Sequence, residues 1–530
     1  MRKALVCVSL TALALAGCDK GGGNGGGGGQ SVSVSPQQVS AADLQAAVTD
    51  PRAKKFYEAR NWAAVWDDAH AKDLTAAFAD AGRHGLQGQA FIKEVKQGAT
   101  PAEREAAMTL NALDYAQALA QGVANPKKVF DPYTVPANEV DVAGGLAQAV
   151  QKGNVREWLA SLAPQDDEYK ALSEAYVRYA AASKGPQRQP IQTGDKIAPG
   201  DKDARVPQIV AALRSGGYLP ADQPQPQAQP QPQPQAHGAK KGASAQPDAN
   251  TYTKAMAAAV AKVQQDYGIK PDGIIGNSTL EALNSGAGER ARILAVNLER
   301  RRWLNRQAPA TRIDVNTAAT VLTYWKDGQA KDRRVVVAGQ PDWETPEIGA
   351  PIVSLVANPD WTIPEKIAKE EILPKGAAYM AKEQISMKNG RLVQASGDKS
   401  ALGMVKFNMA DPYAIYLHDT PGKAAFGQPE RHQSHGCVRV NDAIGFARML
   451  AADEGLGDRF EQALATHKET DVPIPNKIPV RLLYHTAYLD GGKVVFRGDP
   501  YGWDDKLAAA LGLGGPLRHR VVQHVHEMGP

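Results

Sequence analysis

The chain has 530 residues, and 61 Lys and Arg against 57 Asp and Glu give a net charge of +4. This length suggests about three domains, and so small a charge argues against a dedicated nucleic-acid-binding protein. Apolar residues make up 43% of the chain, enough for buried cores, while 50 Gly and 35 Pro suggest linkers. Only three cysteines are present, Cys7, Cys18 and Cys437. They exclude a disulfide scaffold and any zinc or iron–sulfur site built from four cysteines.

The N-terminus is typical of an exported protein. Two basic residues precede an apolar run over 4–16 that is too short to span a bilayer well. The run ends in Leu15-Ala16-Gly17-Cys18, which resembles the lipobox of a bacterial lipoprotein; an ordinary signal peptide is the alternative. We therefore predict a signal peptide over 1–17, lipidation of Cys18 and a Gly-rich tether over 18–40. Asp19 resembles an inner-membrane retention signal, so we expect a periplasmic, lipid-anchored protein at the inner membrane, with the outer membrane as the alternative.

Residues 41–196 carry apolar side chains at helical spacing. Pro101 opens one predicted helix, and Tyr169, Leu172 and Tyr176 mark another. No cluster of catalytic residue types occurs here, so the segment predicts a helical scaffold domain.

Residues 197–285 contain two amphipathic helical patterns and then the run 268–280. In that run Asp272-Gly273 is a turn signal, and Asn277 or Ser278 can cap a following helix. The segment is similar to the three-helix peptidoglycan-binding domain; a generic helical packing unit is the alternative. An insertion over 222–250, rich in Gln and Pro, predicts an extended surface loop, with a strip for partner recognition as the alternative.

A connecting helix is predicted over 286–310. We expect its Arg300-Arg301-Arg302 run to form a solvated face, where it could meet anionic lipid or wall polymer.

From residue 311 to 505 the pattern changes to short strands with a few helices. Asp327-Gly328 predicts a hairpin, and over 414–418 Ile415 and Leu417 alternate with Tyr416 and His418. Residues 506–530 are predicted to be a C-terminal tail.

The run Ser434-His435-Gly436-Cys437-Val438-Arg439-Val440 carries the chemistry. A cysteine is a strong nucleophile only as its thiolate, and His418 could act as its base. A helix beginning near Asn441-Asp442 would place positive potential beside the thiol. Amides of Gly436 and Cys437 could form an oxyanion hole. On these residues alone, a buried inert cysteine is an equal alternative.

The wider pattern favours catalysis. Eighteen residues separate His418 in Ile415-Tyr416-Leu417-His418-Asp419-Thr420-Pro421 from Cys437. This pairing resembles the catalytic segment of the L,D-transpeptidases (YkuD-type domain), and more closely their large YcbB-like branch. Supporting stretches lie at 358–364, 401–407 and 484–488. The resemblance implies a multidomain α+β protein with a helical scaffold domain, a three-helix peptidoglycan-binding domain and a mostly-β catalytic domain with a capping insertion over about 361–400.

The resemblance also implies a mechanism and partners. Cys437 would attack the carbonyl that joins the third residue of a tetrapeptide stem to its terminal D-alanine, and His418 would act as general base and acid. The amine of a second stem's diamino acid would complete a 3→3 cross-link. The partners would be peptidoglycan stem peptides and, further, cell-wall synthesis proteins; no nucleic acid, cofactor or metal is expected. In this family a backbone carbonyl orients the histidine, so Asp419 is not assigned to a triad.

Further residues are candidates for substrate binding. Arg439 would bind a stem carboxylate or steady the cysteine loop, with a structural ion pair as an equal alternative. Tyr416 shares a strand face with His418. His435 and Ser434 flank the cysteine; the branch often has Ser at the position of His435.

Other functions remain open. The same thiol could serve an L,D-carboxypeptidase or attach proteins to peptidoglycan. A non-catalytic peptidoglycan-binding lipoprotein is less favoured. A zinc peptidase or amidase would need ligands such as those clustered in the tail: His519, His524, His526 and Glu527.

Overall fold

The computed structural model describes residues 39–93, 95–185, 189–220 and 249–515. The predicted signal peptide, Cys18, most of the Gln/Pro-rich insertion and the His-rich tail lie outside these residues. Among the helices of the described ranges, none combines the length and the apolar character that crossing a bilayer requires.

The N-terminal part is helical, as predicted. The helix α4 (Pro101–Gln121) begins at Pro101, where the Thr100 side chain and Glu103 form a reciprocal capping box. Leu113 and Leu119 of α4 are buried in a core shared with Leu172 of α8 (Asp167–Ala182). The helices are α1 (Ala41–Ala47), α2 (Pro51–Glu58), α3 (Asp68–Asp80), α4 (Pro101–Gln121), α5 (Pro126–Val129), α6 (Val142–Lys152), α7 (Val155–Leu162) and α8 (Asp167–Ala182).

Three helices follow: α9 (Val206–Ser215), α10 (Lys254–Asp266) and α11 (Asn277–Asn284). The predicted Asp272-Gly273 turn joins α10 to α11, and Gly273 adopts a φ of 71° that favours glycine. Gln264 fixes the turn, because its Oε1 accepts from Gly273 N at 2.8 Å and its Nε2 donates to Ile274 O at 2.9 Å.

The connecting helix α12 (Ala287–Trp303) corrects one prediction. Arg300 and Arg302 are each only 1% exposed, so the expected solvated face is wrong. Acidic partners account for the burial, since a charge is buried only when it is paired. Arg300 lies 2.5 Å from Asp504, and Arg302 lies 2.6 Å from Glu299. Arg301 pairs at 2.8 Å with Asp166, which caps α8, and at 3.3 Å with Glu168 in its first turn.

The C-terminal part is rich in strands. They are β1 (Arg312–Asn316), β2 (Val321–Lys326), β3 (Gln329–Gly339), β4 (Gly349–Ala357), β5 (Trp361–Thr362), β6 (Ile385–Lys388), β7 (Arg391–Gln394), β8 (Val405–Met409), β9 (Leu417–His418), β10 (His432–Ser434), β11 (Val438–Val440), β12 (Thr470–Leu483), β13 (Ala487–Asp490) and β14 (Lys493–Phe496). Nine of them form one sheet of order β10-β3-β11-β9-β8-β4-β12-β1-β2. The predicted hairpin at Asp327-Gly328 is present, and the long strand β3 pairs with β2 at one end and with β11 at the other. The sheet therefore closes on itself into a barrel.

A small separate unit over 361–394, which we call the cap, occupies the stretch expected to cover the site. It combines the sheet β5-β7-β6 with α13 (Glu365–Ile367), a π-helical turn over Ala368–Ile372, and α14 (Gly376–Lys382). Its own core includes Trp361 and Ile372, and Trp343 and Tyr416 of the barrel pack against that core.

Alternate side chains of the strands fill the barrel. Val405, Phe407, Leu417 and Val438 are fully buried in one core with α15 (Ala443–Asp453) and α16 (Gly457–Ala465). The helix α17 (Trp503–Ala510) follows β14. The predicted α+β class, with a helical N-terminal part and a β-rich C-terminal part, is confirmed.

Candidate active site

The registers of β8, β9 and β11 place the predicted catalytic residues on one face of the sheet. Lys406 is the cross-strand partner of His418, and His418 is the partner of Arg439. Val438 N donates to Tyr416 O, which sets Cys437 beside Tyr416. Cross-strand partners project to the same side, so these five residues share one face, which we call the catalytic face. Because the residues between them point into the barrel core, the catalytic face lies outside the barrel, where the cap packs on Tyr416.

His418 is held as a neutral base. Its Nδ1 lies 2.5 Å from the carbonyl oxygen of Asp419, so Nδ1 carries the proton and Nε2 carries the lone pair. Within the described residues Nε2 is buried without a hydrogen-bond partner. Burial, assisted by the nearby Arg439 charge, lowers the pKa of His418 to about 3. The imidazole is therefore uncharged at neutral pH and able to accept a proton.

The carboxylate of Asp419 is turned away from the imidazole. It forms an ion pair with Lys423 and accepts a hydrogen bond from Met404 N at 3.0 Å. The backbone carbonyl orients His418, in agreement with the expectation that Asp419 is not a triad member.

Cys437 is a buried thiol, 4% exposed. Its Sγ lies 3.7 Å from Ala414 O, and the Tyr416 hydroxyl is a hydrogen-bond partner of the sulfur. Burial raises the pKa of Cys437 to about 12. The resting thiol is therefore protonated, and attack requires that a base remove the proton as the sulfur reacts.

The helix predicted to begin near Asn441-Asp442 is present: α15 begins at Ala443, directly after the short strand β11 that follows Cys437. Its activation of the thiol stays a prediction. Asp442 caps that terminus by accepting from Gly445 N at 3.2 Å. Its carboxylate partly offsets the positive end of the helix.

A tight turn fixes the cysteine backbone. Ser434 Oγ donates to Cys437 O at 2.5 Å, and Gly436 N donates to Ser434 Oγ at 3.3 Å. Gly436 has a φ of 107°, which favours glycine, and its carbonyl accepts from Thr345 Oγ1 at 2.8 Å. Ser434 thus closes the turn. The oxyanion role of the Gly436 amide stays a prediction, because that amide already faces Ser434 Oγ.

His435 faces the cap. Its Nε2 lies 2.6 Å from Glu371 Oε1, and the Trp343 ring stands nearly perpendicular to it at 4.8 Å between centroids. Lys366 of the cap places its ammonium 3.8 Å from the centre of the Trp343 ring. Together these contacts hold the cap against the loop that carries Cys437.

Arg439, a predicted substrate-binding residue, is only 1% exposed. This burial favours a role in steadying the cysteine loop over contact with substrate.

Three residues near the site were not identified from the sequence. Thr345 and Glu371 lie outside the catalytic motif and gave no signal. The sequence did contain a signal for Lys406. Apolar and polar residues alternate in Val405-Lys406-Phe407, which places Lys406 on the strand face opposite the core.

A cleft of about 860 Å³ lies between the α10–α11 region and the barrel. Its polar lining residues include Lys270, Asn277 and Ser278 on one side and Arg431 and Gln433 on the other. Gln433 belongs to β10, which leads into the Cys437 turn.

Comparison with known families agrees with this architecture. Residues 310–474 match the L,D-transpeptidase catalytic domain, residues 51–181 match a scaffold domain, and residues 238–283 match the family described as "Putative peptidoglycan binding domain".

Among curated proteins, the chain is similar to the "Putative L,D-transpeptidase" of Haemophilus influenzae, with 34% identity over 223 residues. The alignment covers 37% of this chain and 45% of that relative, so the chain spans less than half of the curated protein that it matches.

Two solved L,D-transpeptidase structures are also similar. The structure from Stackebrandtia nassauensis has 14% identity and a TM-score of 0.20, covering 58% of this chain and 100% of its own. The structure of residues 123–326 of the Xylanimonas cellulosilytica protein has 13% identity and a TM-score of 0.17, covering 55% of this chain and 98% of its own. Scores this low support no inference. The family matches and the catalytic face carry the assignment: the chain contains an L,D-transpeptidase catalytic domain joined to a scaffold domain and a peptidoglycan-binding domain.

Proposed function

We propose that this chain is a cell-wall L,D-transpeptidase that forms 3→3 cross-links in peptidoglycan through a thioester on Cys437. One observation carries the proposal. A buried thiol and a neutral imidazole, whose Nε2 has no partner in the described ranges, share one sheet face in a domain of matching family.

In the first half-reaction, the Cys437 sulfur attacks the carbonyl between the third residue of a tetrapeptide stem and its terminal D-alanine. The thiol proton moves to His418 Nε2, and a tetrahedral intermediate forms. The C–N bond then breaks, and His418 returns the proton to the departing amine. The products are free D-alanine and an acyl-enzyme thioester.

In the second half-reaction, the side-chain amine of another stem's diamino acid attacks the thioester. His418 accepts the proton of that amine, the C–S bond breaks, and the proton returns to the sulfur. The new amide is the 3→3 cross-link, and the enzyme is restored.

The other domains fit a wall polymer. The matched peptidoglycan-binding domain and the cleft beside it, which several polar side chains line, support binding of the polymer near the barrel. The Cys18 lipobox supports anchoring to the periplasmic face of the inner membrane, with the outer membrane as the alternative. Labelling with radioactive palmitate, lost in Cys18→Ser, tests the anchor.

Purified protein lacking residues 1–38, which keeps the Ser40 cap of α1, should convert disaccharide-tetrapeptide to 3→3 dimer. Cys437→Ala should abolish this conversion, and His467→Asn, at an exposed histidine after α16, should not. Full activity of Cys437→Ala, or loss of wild-type activity with a chelator, contradicts the thiol mechanism. A carbapenem should add covalently to Cys437, as seen by mass spectrometry.

The alternatives give different products. An L,D-carboxypeptidase releases tripeptide instead of dimer, because water attacks the thioester. A protein-attaching enzyme transfers the acyl group to a protein amine. A non-catalytic binding lipoprotein retains peptidoglycan but forms no acyl-enzyme.

A further inference from the structure

Two cations flank His418 on the catalytic face, one on each neighbouring strand. Lys406 of β8 and Arg439 of β11 are both cross-strand partners of His418. Cys437 lies on the Arg439 side, two residues before it. The order across the face is therefore thiol and Arg439 on one side, imidazole in the middle, and Lys406 on the far side.

The two cations differ in accessibility. Arg439 is almost fully buried, whereas Lys406 is partly exposed. The Lys406 ammonium lies 4.8 Å from the centre of the Tyr416 ring, and no carboxylate pairs with it within the described residues. A cation–π contact at a partly exposed site is weak compared with an ion pair to a bound anion. Such a contact orients the ammonium yet leaves its hydrogen-bond donors available to an anion.

The proposed reaction supplies that anion. Cys437 bonds to the scissile carbonyl, and His418 gives a proton to the amine of the leaving residue. In a terminal α-amino acid, this amine and a free carboxylate are attached to the same carbon. With the amine at His418, that carboxylate would lie toward the β8 side of the face, within reach of the Lys406 ammonium.

We propose that Lys406 binds the free carboxylate of the leaving amino acid, and so selects donor stems in which the scissile bond joins the last residue. The inference rests on the proposed transpeptidase function and identifies its specificity determinant. It also assigns a direction to the bound peptide, with its C-terminal end at β8 and its acyl part toward β11.

The test compares two donors that differ only at the C-terminus: a tetrapeptide stem ending in free D-alanine and the same stem ending in D-alaninamide. Full-length protein in detergent should favour the acid by at least about tenfold in kcat/KM, the effect of one charged contact of about 1.4 kcal/mol. Lys406→Met should lose most of its activity on the acid while its activity on the amide stays within about threefold. Lys406→Arg keeps the charge and should keep most of the preference.

The acid-to-amide ratio separates this role from a structural one. An equal loss on both donors, or an unchanged ratio in Lys406→Met, overturns the inference. Lys406→Gln provides a second neutral variant if Lys406→Met is unstable. If the wild type converts neither donor and gains no acyl adduct at Cys437, the proposed function itself fails; if it converts both while the variants keep its ratio, only the role of Lys406 fails.

Discussion

His435 Nε2 lies 2.6 Å from Glu371 Oε1, and this contact joins the loop that carries the nucleophile to the cap. The His435 side chain is 2% exposed and that of Glu371 21%. Beneath the same cap, His418 is fully buried and Cys437 nearly so. We therefore expect substrate access to the sulfur to require a shift of the cap, which the His435–Glu371 contact would oppose.

Glu371→Gln should therefore expose the thiol more often. A hydrogen bond to a charged group contributes about 1.5–3 kcal/mol, which corresponds to roughly tenfold or more in the open fraction. Alkylation of Cys437 by iodoacetamide, followed by mass spectrometry at neutral pH, should accelerate by about that factor. Glu370→Gln changes the adjacent exposed carboxylate and should leave the rate unchanged. Equal rates in Glu371→Gln and the wild type would show that this contact does not restrain the cap.

The pH dependence of the same alkylation reports on the catalytic pair. Burial raises the pKa of Cys437 to about 12 and lowers that of His418 to about 3, so both groups are neutral between these values. An ordinary cysteine titrates near about 8.5. In the protein without substrate, alkylation should therefore still be rising at a pH of about 10. A plateau near neutral pH would indicate a resting thiolate–imidazolium pair and would contradict this arrangement.

The buried pair of Arg300 and Asp504 should be important for folding. Both side chains are at most 2% exposed, and Arg300→Met would leave the Asp504 carboxylate buried without its cation. Losing one partner of a buried pair costs about 3–5 kcal/mol. Urea unfolding followed by circular dichroism should show this loss. Arg448→Met breaks an exposed pair with Glu461 and should cost at most about 1 kcal/mol; similar losses in the two variants would refute the prediction.

Glu347 should make stability depend on pH. Burial raises its pKa to about 7, from 4.5 for an unperturbed glutamate. The folded state therefore binds the proton more tightly than the unfolded chain, and the resulting stabilisation is complete below about 4.5 and lost as the pH rises through about 7. At about 1.4 kcal/mol per pKa unit, the loss amounts to about 3 kcal/mol.

Glu347→Gln should remove this dependence. The difference in unfolding free energy between variant and wild type, measured by urea titration, should shift in favour of the variant between pH values of about 4.5 and 7.5. If the unfolding free energies of the variant and the wild type change in parallel with pH, Glu347 is not the group responsible for the pH dependence.

Local signals in the sequence were enough for the helices and the catalytic motif. Pro101 and Asp272-Gly273 mark an element boundary and a turn by chemistry that acts within a few residues, and both are where they were predicted. The pairing of His418 with the Cys437 strand also follows from a family pattern.

Features that depend on contacts between residues far apart in the chain could not be predicted from local sequence signals. The burial of Arg300 depends on Asp504, about two hundred residues later. Closure of the barrel depends on β3 pairing with both β2 and β11. The strand predicted over 414–418 covers only Leu417–His418, since Ala414 adopts a φ of 57° that a strand does not allow.

The arginine run of α12 has a practical consequence for dissecting the protein. The family match of the catalytic domain begins at residue 310, after α12 has ended. A fragment cut there would lose Arg300 and also Asn297, whose Nδ2 donates to Thr486 Oγ1 at 2.8 Å. Its C-terminal helix would keep a buried carboxylate and lose its counter-charge. We therefore expect the smallest autonomous catalytic unit to include α12, so that the boundary of the family match differs from the boundary of stable folding.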